Sequence, residues 1–121
     1  MNTKAVYTDE FITTILGECE SIISCVENVQ HMSEGNTLVV QLLEIEDFEN
    51  IRTTAEELQT LVVQGSDIGD LYDESVTLYQ NVKYTLEALE DSIQDLDLLN
   101  EFGFIRAALS VIRTEINTLV L

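Results

Sequence analysis

This chain of 121 residues has no proline, no tryptophan, five glycines, two cysteines, one histidine and only five lysines and arginines together. Each shortage excludes something. Without proline, nothing in the backbone forbids long uninterrupted helices. The thinly spread glycines leave no glycine-rich phosphate loop and no nucleophile elbow. One histidine cannot supply the paired Glu-x-x-His motifs of a four-helix di-iron site. Its position, His31, is a predicted helix C-terminus, where a favourable interaction with the helix dipole accounts for it. Cys19 and Cys25, six residues apart on one helix, have Cα atoms roughly 10 Å apart, too far for a disulfide. Cys19 falls on the apolar stripe and reads as a small buried hydrophobe. Scarce Lys and Arg argue against direct binding to nucleic acid, whose affinity rests on cations at phosphates, and against an anionic membrane surface.

What is abundant is acid. Twenty-three Asp and Glu set the net charge at −18, while the hydrophobic content is 45%. Disorder requires low hydrophobicity as well as high charge, so this composition belongs to a folded domain. A chain of this length buries about two-thirds of its unfolded surface, enough for a core without metals or disulfides. The expectation is one acidic helical domain over residues 1–121. Met1 to Glu10 has no apolar signal-peptide core and no run is long enough to span a membrane, so the expected location is cytoplasmic, in a bacterial or host-cell cytosol.

Hydrophobic periodicity predicts four helices, at about 8–31, 38–64, 67–96 and 102–120. The first carries Ile12, Ile15, Cys19, Ile22, Val26 and Val29 on one stripe, with Thr8 as N-cap and Asp9 and Glu10 at the positive end of the dipole. The second carries Leu38, Leu42, Ile45, Phe48, Ile51, Ala55, Leu58 and Val62. Its two consecutive three-residue steps, Ile45 to Phe48 to Ile51, break the heptad; a local overwinding, or a break before Asp47 with Asp47 capping a new helix, would absorb the fault. The segment 37–43 is also β-tolerant. Gly65 suits a C-terminal cap, with Ser66 or Asp67 opening the third helix. That helix reads Ile68, Tyr72, Ser75, Tyr79, Val82, Leu86, Leu89, Ile93 and Leu96. After a turn at 97–103 the fourth presents Ile105, Leu109, Ile112, Ile116 and Leu119. Short connections between helices of similar length favour an all-α, antiparallel up-down four-helix bundle.

The charge is unevenly spread. The last twenty residues hold one acid, Glu115, and two arginines, Arg106 and Arg113, which are expected to pair with acids of a neighbouring helix. Apolar character nearly all round places this helix either centrally or against a second subunit, a homodimer interface built from Phe102, Phe104, Val111, Val120 and Leu121. The acids concentrate in Glu44, Glu46, Asp47 and Glu49; in Glu56, Glu57, Asp73 and Glu74; and in Glu87, Glu90, Asp91 and Asp95. A turn at Gly65 sets Glu44 beside Glu87 and Glu57 beside Glu74, with Glu49, Glu56, Asp73 and Glu87 pointing outward. The expectation is an acidic ridge on the second and third helices, weaker in the middle at Arg52 and Lys83. A helix of about 24 residues is ~36 Å long, and B-DNA of that length carries roughly 21 phosphates, so the linear charge density is of the same order.

Residues 67–74, Asp-Ile-Gly-Asp-Leu-Tyr-Asp-Glu, lack the alternating ligands and central glycine of an EF-hand loop, so no metal or cofactor is expected. Acid–base work by paired carboxylates needs one pKa raised by burial, and these acids read as exposed, so an enzyme is not expected. In composition, size and helical character the chain is similar to the DNA-mimic inhibitors that phages and mobile elements use against restriction or CRISPR effectors. No motif carries that resemblance, so it assigns no residue a role. It implies a basic, nucleic-acid-binding protein as the partner. The alternative is a helical chaperone, adaptor or assembly factor acting through the apolar surface of the last helix.

Overall fold

The computed structural model describes residues 6–120 as five helices, and no strand occurs among them. They are α1 (Asp9–Met32), α2 (Thr37–Ile45), α3 (Glu49–Gln64), α4 (Ile68–Glu90) and α5 (Leu96–Val120). Among the principal packings, α1 lies against α3 and α5, and α4 against the same two helices. The core they enclose includes Ile15, Ile22 and Val26 of α1, Ile51 and Leu58 of α3, Leu78 and Leu86 of α4, and Ile105 and Ile112 of α5. No described helix is long and apolar enough to cross a membrane.

The ends of α1 follow from its residues. Thr8 is extended and its hydroxyl accepts the Phe11 N–H at 3.1 Å, which satisfies one of the donors that a helix start leaves free. At the other end the backbone N–H and the hydroxyl of buried Ser33 both donate to the Val29 carbonyl, at 3.0 and 2.7 Å.

The fault in the second predicted helix is resolved as a break. Glu46 to Phe48 interrupt it, and 37–45 form the separate helix α2, capped by the Asn36 side chain accepting from Val39 at 3.2 Å. The break has a specific geometry. The Phe48 N–H donates to the Leu43 carbonyl at 2.9 Å, the Asp47 N–H to Glu44 at 3.1 Å, and Asp47 has φ +53°. These are the bonds of a Schellman turn, with Asp47 where glycine is usual and the apolar pair Leu43–Phe48 buried across it. Asp47 therefore ends α2, and α3 starts at Glu49 after Phe48, with no side-chain cap. Gly65 makes the same turn at the end of α3, with φ +70° and the Ser66 N–H on the Leu61 carbonyl at 3.0 Å.

The next connection lies about six residues earlier than expected. Helix α4 stops at Glu90, and 97–103 are helical, inside α5. Asp, Asn and Gly in that stretch resemble a turn, but the Asp95 carboxylate accepts the N–H groups of Asp97 and Leu98 at 2.9 and 3.2 Å. That cap starts the helix, and burial of Leu98 and Phe102 holds its first turns down. The stripe on α4 holds at Ser75, Val82, Leu86 and Leu89, but in the first turns Leu71 and Leu78 are buried beside it while Tyr72 is exposed and Tyr79 half-buried. Leu96 is exposed at the start of α5. On α2 only Leu43 is fully buried, and Leu38 and Ile45 face out.

Candidate functional site

The acidic residues divide among several settings. Glu44, Asp47, Glu49, Glu56, Glu57, Asp73, Glu87 and Asp91 are exposed, while Glu46, Glu74 and Glu90 are half-buried. Exposed Asp95 serves as the cap of α5. Glu49 accepts from Gln30 of α1 and, with Glu56, flanks Arg52, whose Nε lies 3.1 Å from Glu49 and 3.6 Å from Glu56. These are exposed one-turn pairs, worth a few tenths of a kcal/mol each.

Glu57 and Glu74 come together in a groove between α3 and α4 that Thr53, Thr60 and Leu61 also line. Burial, followed by hydrogen bonding to Glu57 and its charge, pushes the Glu74 carboxyl up to about 7. Glu74 Oε1 is buried without a hydrogen-bond partner. A proton on Glu74, donated to Glu57, suits that geometry better than two charges.

The acids at the end of α4 turn towards α5. Arg106 makes two bonds to the Glu90 carboxylate, one at 2.7 Å, and Glu87 lines the same groove. The guanidinium holds the Glu90 carboxyl below its usual range, and Glu90 in turn raises Arg106. Arg113 behaves differently from expectation: its guanidinium carbon lies 4.1 Å from the centroid of the Tyr79 ring, a cation–π contact, and no described carboxylate is within ion-pair distance.

On α5, Phe102 is fully buried and packs on Phe48, with ring centroids 5.9 Å apart. This corrects its assignment to an outer interface: the earlier start of α5 turns Phe102 inward. Phe104 is 60% exposed, Val111 and Val120 are partly so, and Leu121 lies outside the described residues. Phe104, Ala107 and Val111 line a shallow groove against Gly17, Ser21 and Cys25 of α1, of about 740 Å³.

Both cysteines are free and buried. Burial pushes each thiol up to about 12, reinforced at Cys19 by Glu18 and Glu20 and at Cys25 by hydrogen bonding to Glu101. Protonated thiols are poor nucleophiles. Among the described residues no group of three or more His, Cys, Asp and Glu is placed to hold a metal ion.

The residues that sequence reasoning missed are Tyr79 and Lys83 of α4 as companions of Arg113. Tyr79 reads as part of the apolar stripe of α4, where it is half-buried, so nothing in the spacing marks it as the cover of a cation. No family model, no curated protein and no solved structure matches this chain.

Proposed function

We propose that this chain is a non-enzymatic acidic interaction protein that occupies the basic groove of a nucleic-acid-binding protein, in the manner of the DNA-mimic inhibitors of phages and mobile elements. Its framework in this reading is an antiparallel four-helix bundle of α1, α3, α4 and α5, with α2 inserted after α1. Two cross-helix bonds favour that direction: Gln59 of α3 donates to the Leu16 carbonyl early in α1, and Gln30 late in α1 meets Glu49 at the start of α3.

One observation carries the function. Glu44, Asp47, Glu57, Asp73 and Asp91 are exposed and none has a cation within ion-pair distance among the described residues, in a chain of net charge −18. Unneutralised carboxylates at this density repel one another, and a cationic partner removes that penalty. Association would be fast and strongly dependent on salt.

The test is binding to a basic nucleic-acid-binding protein captured from host lysate, with duplex DNA as competitor. Affinity should fall steeply from low to high salt, DNA should displace the chain, and a Glu57→Gln/Asp73→Asn/Asp91→Asn variant should bind more weakly. A complex that survives high salt unchanged, or that binds DNA alongside, overturns the reading.

Exposure of Phe104 beside Val111 favours a second reading, an adaptor or assembly factor that is dimeric through the C-terminal helix. Val111→Glu with Val120→Glu should then dissociate the dimer, and a monomeric parent at micromolar concentration refutes it.

A further inference from the structure

Three of the five cationic residues of this chain line a single groove between α4 and α5: Lys83 from α4, and Arg106 and Arg113 from α5. The groove has a volume of about 510 Å³, and only one acid, Glu87, is in its lining. With 23 carboxylates on the chain, the ordinary fate of a cation is an acidic neighbour. Arg52 and Arg106 follow it, and Arg106 is committed to Glu90. Arg113 and Lys83 do not: neither has a described carboxylate within ion-pair distance.

Arg113 is nevertheless held. Tyr79 covers its guanidinium at 4.1 Å, and none of its N–H groups donates to another described residue. A guanidinium supported on an aromatic face keeps its in-plane donors available for a planar or tetrahedral oxyanion. Ser110 and Thr114 add hydroxyls one turn apart on the α5 wall, and Val82 and Leu109 give the groove an apolar base. Glu87 acts on Arg106, the cation that is already paired, and lies outside ion-pair distance of both Lys83 and Arg113.

We propose that this groove is a binding site for an oxyanion, a carboxylate or phosphate group carried by a small ligand, taken by Arg113 and Lys83 with Ser110 and Thr114 beside them. Glu87 of the acidic surface borders the site, and binding there does not depend on the function proposed for that surface. The overall negative charge does not prevent binding, because at physiological ionic strength fields are screened beyond about 8 Å and the nearest charges decide. Specificity comes from the fork of Arg113, which can hold two oxygens at once, whereas Lys83 supplies an undirected charge.

The experiment is titration of the whole chain with inorganic phosphate and, separately, citrate at constant ionic strength, read by amide chemical shifts. Saturable shifts confined to residues 79–87 and 106–117 are expected. Arg113→Gln and Lys83→Gln should each weaken binding about tenfold, the loss of one charged hydrogen-bonding partner, while Arg52→Gln leaves it unchanged. Saturation by phosphate alone assigns a phosphate ligand, by citrate alone a carboxylate, and by both the shared oxyanion chemistry. Shifts that do not saturate, that spread over the whole surface, or that persist in the folded Lys83→Gln variant at parental affinity overturn the proposal. Lys83 is exposed, so its replacement leaves the core intact and that arm remains decisive.

Discussion

Glu57 on α3 and Glu74 on α4 form a carboxyl pair across the groove between their helices, with Glu74 pushed up to about 7 by burial and by its neighbour. The folded chain thus holds a proton on Glu74 at a pH where an unfolded glutamate, near 4.5, has lost it. Where the native state binds more protons, stability falls as pH rises. The contribution is greatest below about 4.5 and is lost as pH rises through about 7. Glu74→Gln keeps a hydrogen-bonding group without the charge. Melting of the variant and its parent should therefore differ most at pH 8, with the variant more stable, and converge near pH 4. A variant no more stable than its parent at pH 8 contradicts the pairing.

Arg106 and Glu90 give the opposite sign. The Glu90 carboxyl is held below its usual range, so the pair stabilises the fold above the unfolded glutamate pKa and loses that effect as pH falls through the folded one. Both side chains are about one-third or more exposed, at 41% and 32%, so solvent screening limits the value. Denaturant melts of Arg106→Gln at pH 7 should show a loss of about 0.5–1 kcal/mol, shrinking in strong acid.

Two phenylalanines two residues apart on α5 should respond in contrast. Phe102 is fully buried against Phe48, and Phe102→Ala should cost about 3–5 kcal/mol through lost burial and the cavity left behind. Phe104 is exposed, and Phe104→Ala should change monomer stability by no more than about 0.5 kcal/mol. Urea denaturation of both variants checks the direction in which α5 faces the core. Equal losses would contradict it.

The thiols of Cys19 and Cys25 are buried, with pKa values pushed up to about 12, so thiolate is scarce at neutral pH. Neither should react with an aromatic disulfide reagent at pH 8 in the native state, and both should react at once in denaturant. Rapid native labelling of either one would place that cysteine at the surface.

Features that depend on neighbours in the chain were legible before any fold was known. The Thr8 hydroxyl reaches a backbone N–H three residues on, and Gly65 accepts a positive φ for want of a Cβ. The stripe of α1 from Ile15 to Val29 needed only the helical period. The fault at Ile45, Phe48 and Ile51 was visible as a fault. That Asp47 would turn left-handed and end a helix, rather than begin one, depended on Leu43 and Phe48 closing against each other.

The residues and their order by themselves determined that the chain is helical, rich in acid and poor in cations, because hydrophobic period and charge count need no tertiary contact. Tertiary packing decided how those residues are grouped. Residues 97–103 became helix because Leu98 and Phe102 are buried and Asp95 caps them, outweighing their turn-like composition. Glu87 and Glu90 were drawn towards α5 by Arg106, while Glu57 was left facing Glu74. Which charges are paired, and which of the few cations stay free, depends on distances between helices, and those are set only when the cores of the helices meet.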